Sequence, residues 1–346
     1  MTVDERKQRI LEAIVALYAM DGEPVGSGLL SRYFDMAVSS ATLRNEMAAL
    51  TRLGLLEQPH TSAGRVPSAK GYRYYLDNLL GQSADQSLPQ TERRQINAAM
   101  AGLDFEPQHL VQGAARLLAR HTGFTVAATT PASEDVCIAH YEVVQVGQYS
   151  ASVLAVTNNG DVYTRVARVE RGLTRAGAAQ VANLLNHTMT FVSPADLTPR
   201  RLSEAAAELG GEYQVLMPAV LAAASLLQEA DQPKAYLEGV ENLLRWPELQ
   251  GSLADLLHTF NDGREASRLI TPPGGRVSVL LGEDIEHPMP GLCIMAKRYL
   301  AGGGRTGTIA LIGPNRMPFP QLMPRLEYFA RKLGQGMSGK SIQEDN

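Results

Sequence analysis

The feature that most restricts the fold of this chain is the order of helix and hairpin signals in its first 80 residues. Apolar residues at helical spacing predict helices over 5–20, 28–33 and 40–53. Two short apolar strands then flank the polar loop PHTSAGR, and a fourth helix begins at Ser68. Three helices, a hairpin and a further helix form the order of a winged helix-turn-helix.

The third predicted helix carries side chains that suit base recognition. Leu43, Met47 and Leu50 share one face and predict a buried stripe, which leaves polar residues on the open face. The N-terminal part of such a helix meets base edges in the major groove, where Arg pairs with guanine and Asn with adenine. Glu46 is expected to point away or to orient an arginine. The residues predicted to contact DNA from this helix are Ser40, Thr42, Arg44 and Asn45.

The predicted wing and its flank, residues 60–73, contain no acidic residue. A small, polar, glycine-terminated loop can approach a DNA backbone closely, and hydroxyl groups suit phosphate oxygens. The residues predicted to contact DNA from the wing and its flank are His60, Thr61, Ser62, Gly64, Arg65, Lys70 and Arg73.

The charge of this N-terminal segment is balanced, with nine basic and nine acidic residues between positions 1 and 80, in a chain of net charge −4. A neutral domain binds the DNA polyanion weakly, so we expect two copies to act together. A winged helix used only for protein contacts is the alternative interpretation.

The rest of the chain alternates between strand and helix signals. After a polar linker over 81–105, three strand-like runs lie within 136–169, and three more lie within 276–312. A mostly helical stretch, 173–270, separates the two groups. Because three strands do not easily complete a sheet alone, the pattern predicts one sheet shared by both groups. The expected fold class is therefore α+β, with a helical insertion.

Composition narrows the function classes. The chain is 45% hydrophobic and 20% charged, as globular proteins are. Its two cysteines, Cys137 and Cys293, lie in apolar runs and predict buried thiols in a cytoplasmic protein. The glycine-rich run 301–307 lacks the spacing of a phosphate-binding loop, and the seven histidines show no metal spacing. We therefore predict no enzyme activity, cofactor, metal or membrane span.

Four segments carry recognisable motifs: Gly22–Ser27, Ser39–Pro67, Lys70–Asp77 and Leu311–Leu333. The wing string PHTSAGRVP, followed closely by KGYR, is the most specific of these motifs. The four segments resemble the heat-inducible transcription repressor family, HrcA. The chain departs from the family pattern at two places. Gly28 stands where a basic residue is usual, and because glycine is unfavourable inside a helix, we expect a shortened second helix. The pair Thr51-Arg52 stands where the family usually has two acidic residues.

The resemblance implies a three-part homodimeric repressor of chaperone and chaperonin operons. Such a protein binds an inverted-repeat operator, loses activity under heat stress and relies on the chaperonin for its active fold. It also implies DNA contacts from named residues of the third helix and the wing. These are Ser40, Thr42, Arg44 and Asn45 in the helix, and His60, Thr61, Ser62, Gly64 and Arg65 in the wing. A regulator that senses a small molecule through a GAF-like domain is the alternative. The implied domains are a winged helix (1–80), a GAF-like domain (106–172 and 271–335), an inserted dimerisation domain (173–270) and a tail (336–346).

Overall fold

The chain divides into two compact units. The larger unit combines residues 1–131 with 234–346, and the smaller unit comprises residues 132–233. Both units mix helices with antiparallel strands, so the α+β class is confirmed. No helix among the described residues is long and apolar enough to cross a membrane. The computed structural model of the protein describes residues 3–60, 63–80, 88–131, 136–169, 172–230 and 232–339.

The N-terminal segment forms the predicted winged helix-turn-helix. Its elements are α1 (Glu5–Asp21), α2 (Ser27–Tyr33), α3 (Ser40–Arg52), β1 (Leu56–Glu57), β2 (Val66–Pro67) and α4 (Ala69–Asn78). The side chains of Asp4, Ser39 and Ser68 cap the three longer helices by accepting a first-turn backbone N–H. Gly22 ends α1 in the left-handed conformation, with φ of 72°. The second helix spans seven residues and contains Gly28 in its first turn.

Two helices and a strand follow in the larger unit: α5 (Gln90–Ala101), α6 (Pro107–Thr122) and β3 (Thr125–Thr129). The predicted linker 81–105 is therefore helical over much of its length, and its residues 81–87 lie outside the described part of the chain. Ile96 and Met100 of α5 are buried in the same apolar core as α6, which explains why this polar-looking segment folds as a helix.

The smaller unit is a three-stranded sheet covered by helices. Its elements are β4 (Ile138–Gly147), β5 (Ser150–Thr157), β6 (Val162–Arg168), α7 (Arg175–Thr188), α8 (Pro199–Glu208) and α9 (Tyr213–Ala230). The strands form an antiparallel meander in the order β4-β5-β6. Gly160 supports the predicted hairpin turn between β5 and β6 with φ of 88°. Alternate residues such as Tyr141 and Val153 pack into a core with Val181 and Val220 of the helices.

The chain then completes the sheet of the larger unit. The remaining elements are β7 (Ala235–Glu238), α10 (Leu253–Thr259), α11 (Gly263–Ile270), β8 (Ser278–Leu281), β9 (Leu292–Leu300), β10 (Thr306–Pro314) and α12 (Phe319–Met337). The five strands are antiparallel in the order β7-β3-β10-β9-β8. α12 continues past the predicted tail boundary, and its Gly334 and Gly336 are buried.

The single sheet predicted from six strands is wrong. β4, β5 and β6 pair only with one another among the described residues, while the places beside β10 and β9 are taken by β3 and β8. β3 and β7, which the sequence pattern did not predict as strands, complete the larger sheet. The predicted boundary at residue 173 consequently falls inside the smaller unit, which combines strands with helices.

Candidate nucleic-acid interface

The N-terminal turn of α3 presents polar side chains to solvent. Ser39 Oγ accepts the backbone N–H of Thr42 at 3.2 Å and lies 2.9 Å from Thr42 Oγ1, so the cap also fixes the Thr42 side chain. Thr42 is half-buried, whereas Ser40, Arg44 and Asn45 are exposed. The predicted stripe of Leu43, Met47 and Leu50 is buried on the opposite face.

Glu46 is held by the basic residues at the start of α1. Its carboxylate lies 3.2 Å from Lys7 Nζ and 3.9 Å from Arg6 Nη1. The hydrogen bonds that Lys7 donates to Asp4 and then to Glu46 raise the pKa of Lys7, which stays charged. The Glu46 carboxylate is therefore paired with cations of α1.

The wing is tied to the loop before α2. Val25 and Arg65 exchange both backbone hydrogen bonds at 2.9 Å. A Cβ atom at Gly64 would lie 2.4 Å from the Val25 carbonyl, so the absence of a side chain permits this approach. Arg65 Nε donates to Thr51 Oγ1 at 3.1 Å, which links the base of the wing to the end of α3.

The loop of the wing is described only in part. His60 is exposed at one end of the loop. Thr61 and Ser62, which were also predicted to contact DNA, lie outside the described residues.

The two flanking cations of the wing make contacts within the protein. Lys70 Nζ donates to the Leu53 carbonyl at 2.9 Å, at the C-terminal end of α3. Arg73 forms an ion pair with Asp284, a residue of the sheet-containing part of the larger unit. No sequence signal near Arg73 identifies Asp284, because the two residues are far apart in the chain.

The turn between α2 and α3 contains two non-glycine residues in the left-handed region. Asp35 has φ of 50° and Met36 has φ of 60°. Ser31 Oγ donates to the Val38 carbonyl at 2.8 Å and closes the turn. A left-handed conformation is strained for non-glycine residues and persists where surrounding contacts impose it. In this turn it fixes the direction in which the chain leaves α2 and enters α3.

The winged helix also packs against the sheet-containing part of the larger unit. The rings of Tyr75 and Phe319 lie 6.4 Å apart, and burial raises the pKa of Tyr75 to about 12. The Arg316 guanidinium lies over the Trp246 ring at 4.5 Å and beside the end of α1, because a Cβ atom at Gly22 would be 2.8 Å from its Cζ. These contacts make the winged helix part of the larger unit's core.

A winged helix-turn-helix with an exposed polar turn at the start of its third helix defines the class of DNA-binding transcription regulators. The family described as "HrcA protein C terminal domain" matches residues 108–323. The heat-inducible transcription repressor HrcA of Acetivibrio thermocellus is 30% identical, over 98% of this chain and 100% of the relative. That of Desulfitobacterium hafniense is 32% identical, over 96% and 97%.

One solved structure supports the fold. The chain described as "a hypothetical protein at 2.2 A resolution" has a TM-score of 0.64 at 23% identity, with 98% of this chain and 99% of that chain covered. The family match over most of the chain and the near full-length relatives identify the family of this protein. This chain belongs to the HrcA family of heat-inducible transcription repressors.

Proposed function

We propose that this repressor acts as a homodimer that binds an inverted-repeat operator of chaperone and chaperonin operons. The observation that carries the proposal is the exposed N-terminal turn of α3, in which Arg44 and Asn45 are exposed while Glu46 is paired with α1. Arg44 would pair with guanine and Asn45 with adenine. Ser40 and Thr42 would contact phosphate or base edges nearby.

The wing would hold the DNA backbone beside this helix. His60 is exposed, and the hydroxyl groups of Thr61 and Ser62 have the chemistry for phosphate oxygens. Gly64 and Arg65 would set the position of the wing through Val25 and Thr51. Because Arg65 joins the base of the wing to the end of α3, the wing and this helix would meet the DNA together.

Lys70 and Arg73 would mainly stabilise the protein through contacts within it. Their partners, the Leu53 carbonyl and the Asp284 carboxylate, occupy groups that a phosphate contact would need. We infer that Lys70 fixes the end of the recognition helix and that Arg73 fixes the position of the winged helix in the larger unit.

The smaller unit offers a surface for dimerisation. The outer face of its sheet exposes Val144, Val162 and Val166, which are 44%, 56% and 63% exposed. Val144 and Val166 lie on either side of Ser152 in register, so the apolar side chains share one face. A second copy would cover this face and supply the second winged helix that a neutral DNA-binding segment needs.

Heat control would follow from limited stability of the native dimer, with the chaperonin restoring the active fold in the cytoplasm. The names of the relatives favour this function over a small-molecule sensor. Purified repressor should lose operator binding after a heat pulse and regain it when chaperonin and ATP are added. Full binding after the pulse without chaperonin would contradict the mechanism.

The assignment of the base-reading residues is tested by replacing arginines at the two ends of α3. Arg44→Ala should weaken operator binding by about 1–3 kcal/mol and reduce the preference for operator over random DNA. Arg52→Ala is the matched control, because Arg52 is exposed on the same helix at the far end. Gel-shift titrations with both DNAs measure the effect. Equal losses in the two variants would refute the assignment.

The dimer surface is tested separately. Val144→Lys combined with Val166→Lys should convert the dimer into a folded monomer, since charge on a buried apolar face is costly. Leu244→Lys, at an apolar residue 70% exposed in the larger unit, is the control. Sedimentation velocity gives the mass of the double variant and of the control in solution. A double variant that remains dimeric would exclude this face.

A further inference from the structure

A cleft in the larger unit lies apart from the winged helix. It has a volume of about 920 Å³ and is bordered by α5, α12, the end of β9, the start of β10 and the loop at 273–275. Sites that bind small molecules commonly have volumes of about 300–1,000 Å³. The size therefore suits a metabolite better than a single ion.

The cleft is positively charged in a protein whose net charge is −4. Its lining contains four cationic side chains and, against them, the carboxylate of Glu327. Lys297 Nζ lies 3.5 Å from Glu327 Oε1, so that pair is close to neutral. The guanidinium groups of Arg93, Arg298 and Arg331 also line the cleft.

Three polar atoms at this cleft are buried and have no hydrogen-bond partner in the part of the chain that the structure describes. They are Nε of Arg93, Nε of Arg298 and Oε1 of Gln335. Native proteins pair nearly all buried polar atoms, because an unpaired one costs the full desolvation of the group. Two charged donors and one acceptor without partners at the same cleft indicate a ligand that supplies oxygen acceptors and one donor.

Aromatic surface completes the cleft. The guanidinium carbon of Arg331 lies 4.9 Å from the centre of the Tyr328 ring, which holds this arginine against the wall of the cleft. The Tyr328 hydroxyl donates to Asn97 Oδ1 at 2.8 Å and joins α12 to α5. The hydrogen bond therefore connects the two helices that border the cleft on this side.

We propose that this cleft binds a small hydroxylated oxyanion, with Arg93 and Arg298 donating to its phosphate or carboxylate oxygens and Gln335 accepting from its hydroxyl group. Because the ligand joins α5, β9 and α12, binding stabilises the native larger unit by mass action. The proposal is independent of the assignment of DNA-contacting residues.

Calorimetric titration of the full chain with glycerol 3-phosphate and with citrate, at constant ionic strength, tests the proposal. At least one probe should bind saturably and raise the melting temperature. Arg93→Gln combined with Arg298→Gln should weaken that binding at least tenfold. Arg94→Gln combined with Arg120→Gln is the matched control, because it removes two exposed arginines that do not line the cleft.

The probe that binds distinguishes a phosphate from a carboxylate ligand. Gln335→Leu is the second variant if the double replacement fails to fold, and it should also weaken binding, through loss of the acceptor. Failure of both probes to bind the wild-type chain would overturn the proposal. So would equal binding by wild type and by every folded cleft variant.

Discussion

The side-chain nitrogen of Lys70 lies 2.9 Å from the carbonyl oxygen of Leu53, the residue that ends the helix carrying Arg44 and Asn45. A cation at a helix C-terminus is favourable because it meets unpaired carbonyl groups and the negative end of the helix dipole. The contact connects a residue outside α3 with the stability of the helix proposed to read DNA.

Replacement of Lys70 by Met should lower the free energy of unfolding by about 0.5–1 kcal/mol, since the aliphatic stem remains and the hydrogen bond is lost. Urea denaturation measures the change, and Lys70→Arg, which keeps the charge, serves as control. Unchanged stability together with weaker operator binding would instead assign Lys70 to the DNA.

Gly28→Ala should stabilise the protein. The glycine lies inside α2 and is exposed, and a Cβ atom there meets nothing within 4 Å among the described residues. Alanine in a helix is favoured over glycine by about 1 kcal/mol. Thermal unfolding of the two proteins at the same pH checks the sign, and a lower melting temperature for Gly28→Ala contradicts the expectation.

The same substitution at Gly71 should have the opposite sign. A Cβ atom there would lie 2.0 Å from the Leu55 carbonyl oxygen, so α4 would have to move away from the wing. Overpacking of this kind costs about 1–3 kcal/mol or more. Urea denaturation gives the free energy of unfolding of Gly71→Ala and of Gly28→Ala. The difference between the two isolates the packing effect, because both variants gain one methyl group in a helix. A Gly71→Ala protein as stable as wild type would show that the wing moves freely.

Glu92 should make the stability of the larger unit depend on pH in the acid range. Its carboxylate lies 2.7 Å from His121 Nε2 and 2.6 Å from Arg325 Nε, and so connects α5, α6 and α12. Burial acts to raise the pKa of Glu92, but these hydrogen bonds outweigh it and the pKa is lowered.

A carboxyl group whose pKa is lowered in the folded state stabilises the folded protein fully at pH values above its pKa in the unfolded chain, about 4.3. This stabilisation is lost as the pH falls through the lower pKa of the folded state. Glu92→Gln should therefore be less stable than wild type at neutral pH, with the difference shrinking below about pH 4. Unfolding free energies measured from neutral to acid pH test this. A difference that stays constant over the range would rule out the titration of Glu92 as its source.

Local signals were sufficient to predict the helices of the candidate DNA interface. Ser39 and Ser68 lie immediately before the helices that they cap, and the stripe of Leu43, Met47 and Leu50 repeats at helical spacing. The contacts that the flanking cations make within the protein were not predictable in this way. Arg73 pairs with Asp284, which is distant in the chain, and the two residues meet because the winged helix packs against the sheet-containing part.

The sequence by itself determined the winged helix, the polar turn with Arg44 and Asn45, and the α+β class, because caps, turns and periodicity act between residues close in the chain. Only the tertiary structure decided how the strands are shared between two sheets. β3 pairs with β10 and β7 across more than a hundred residues, and such pairing depends on which backbone edges remain free after packing. Alternating apolar residues predict a strand and its buried face, but they do not identify its neighbour.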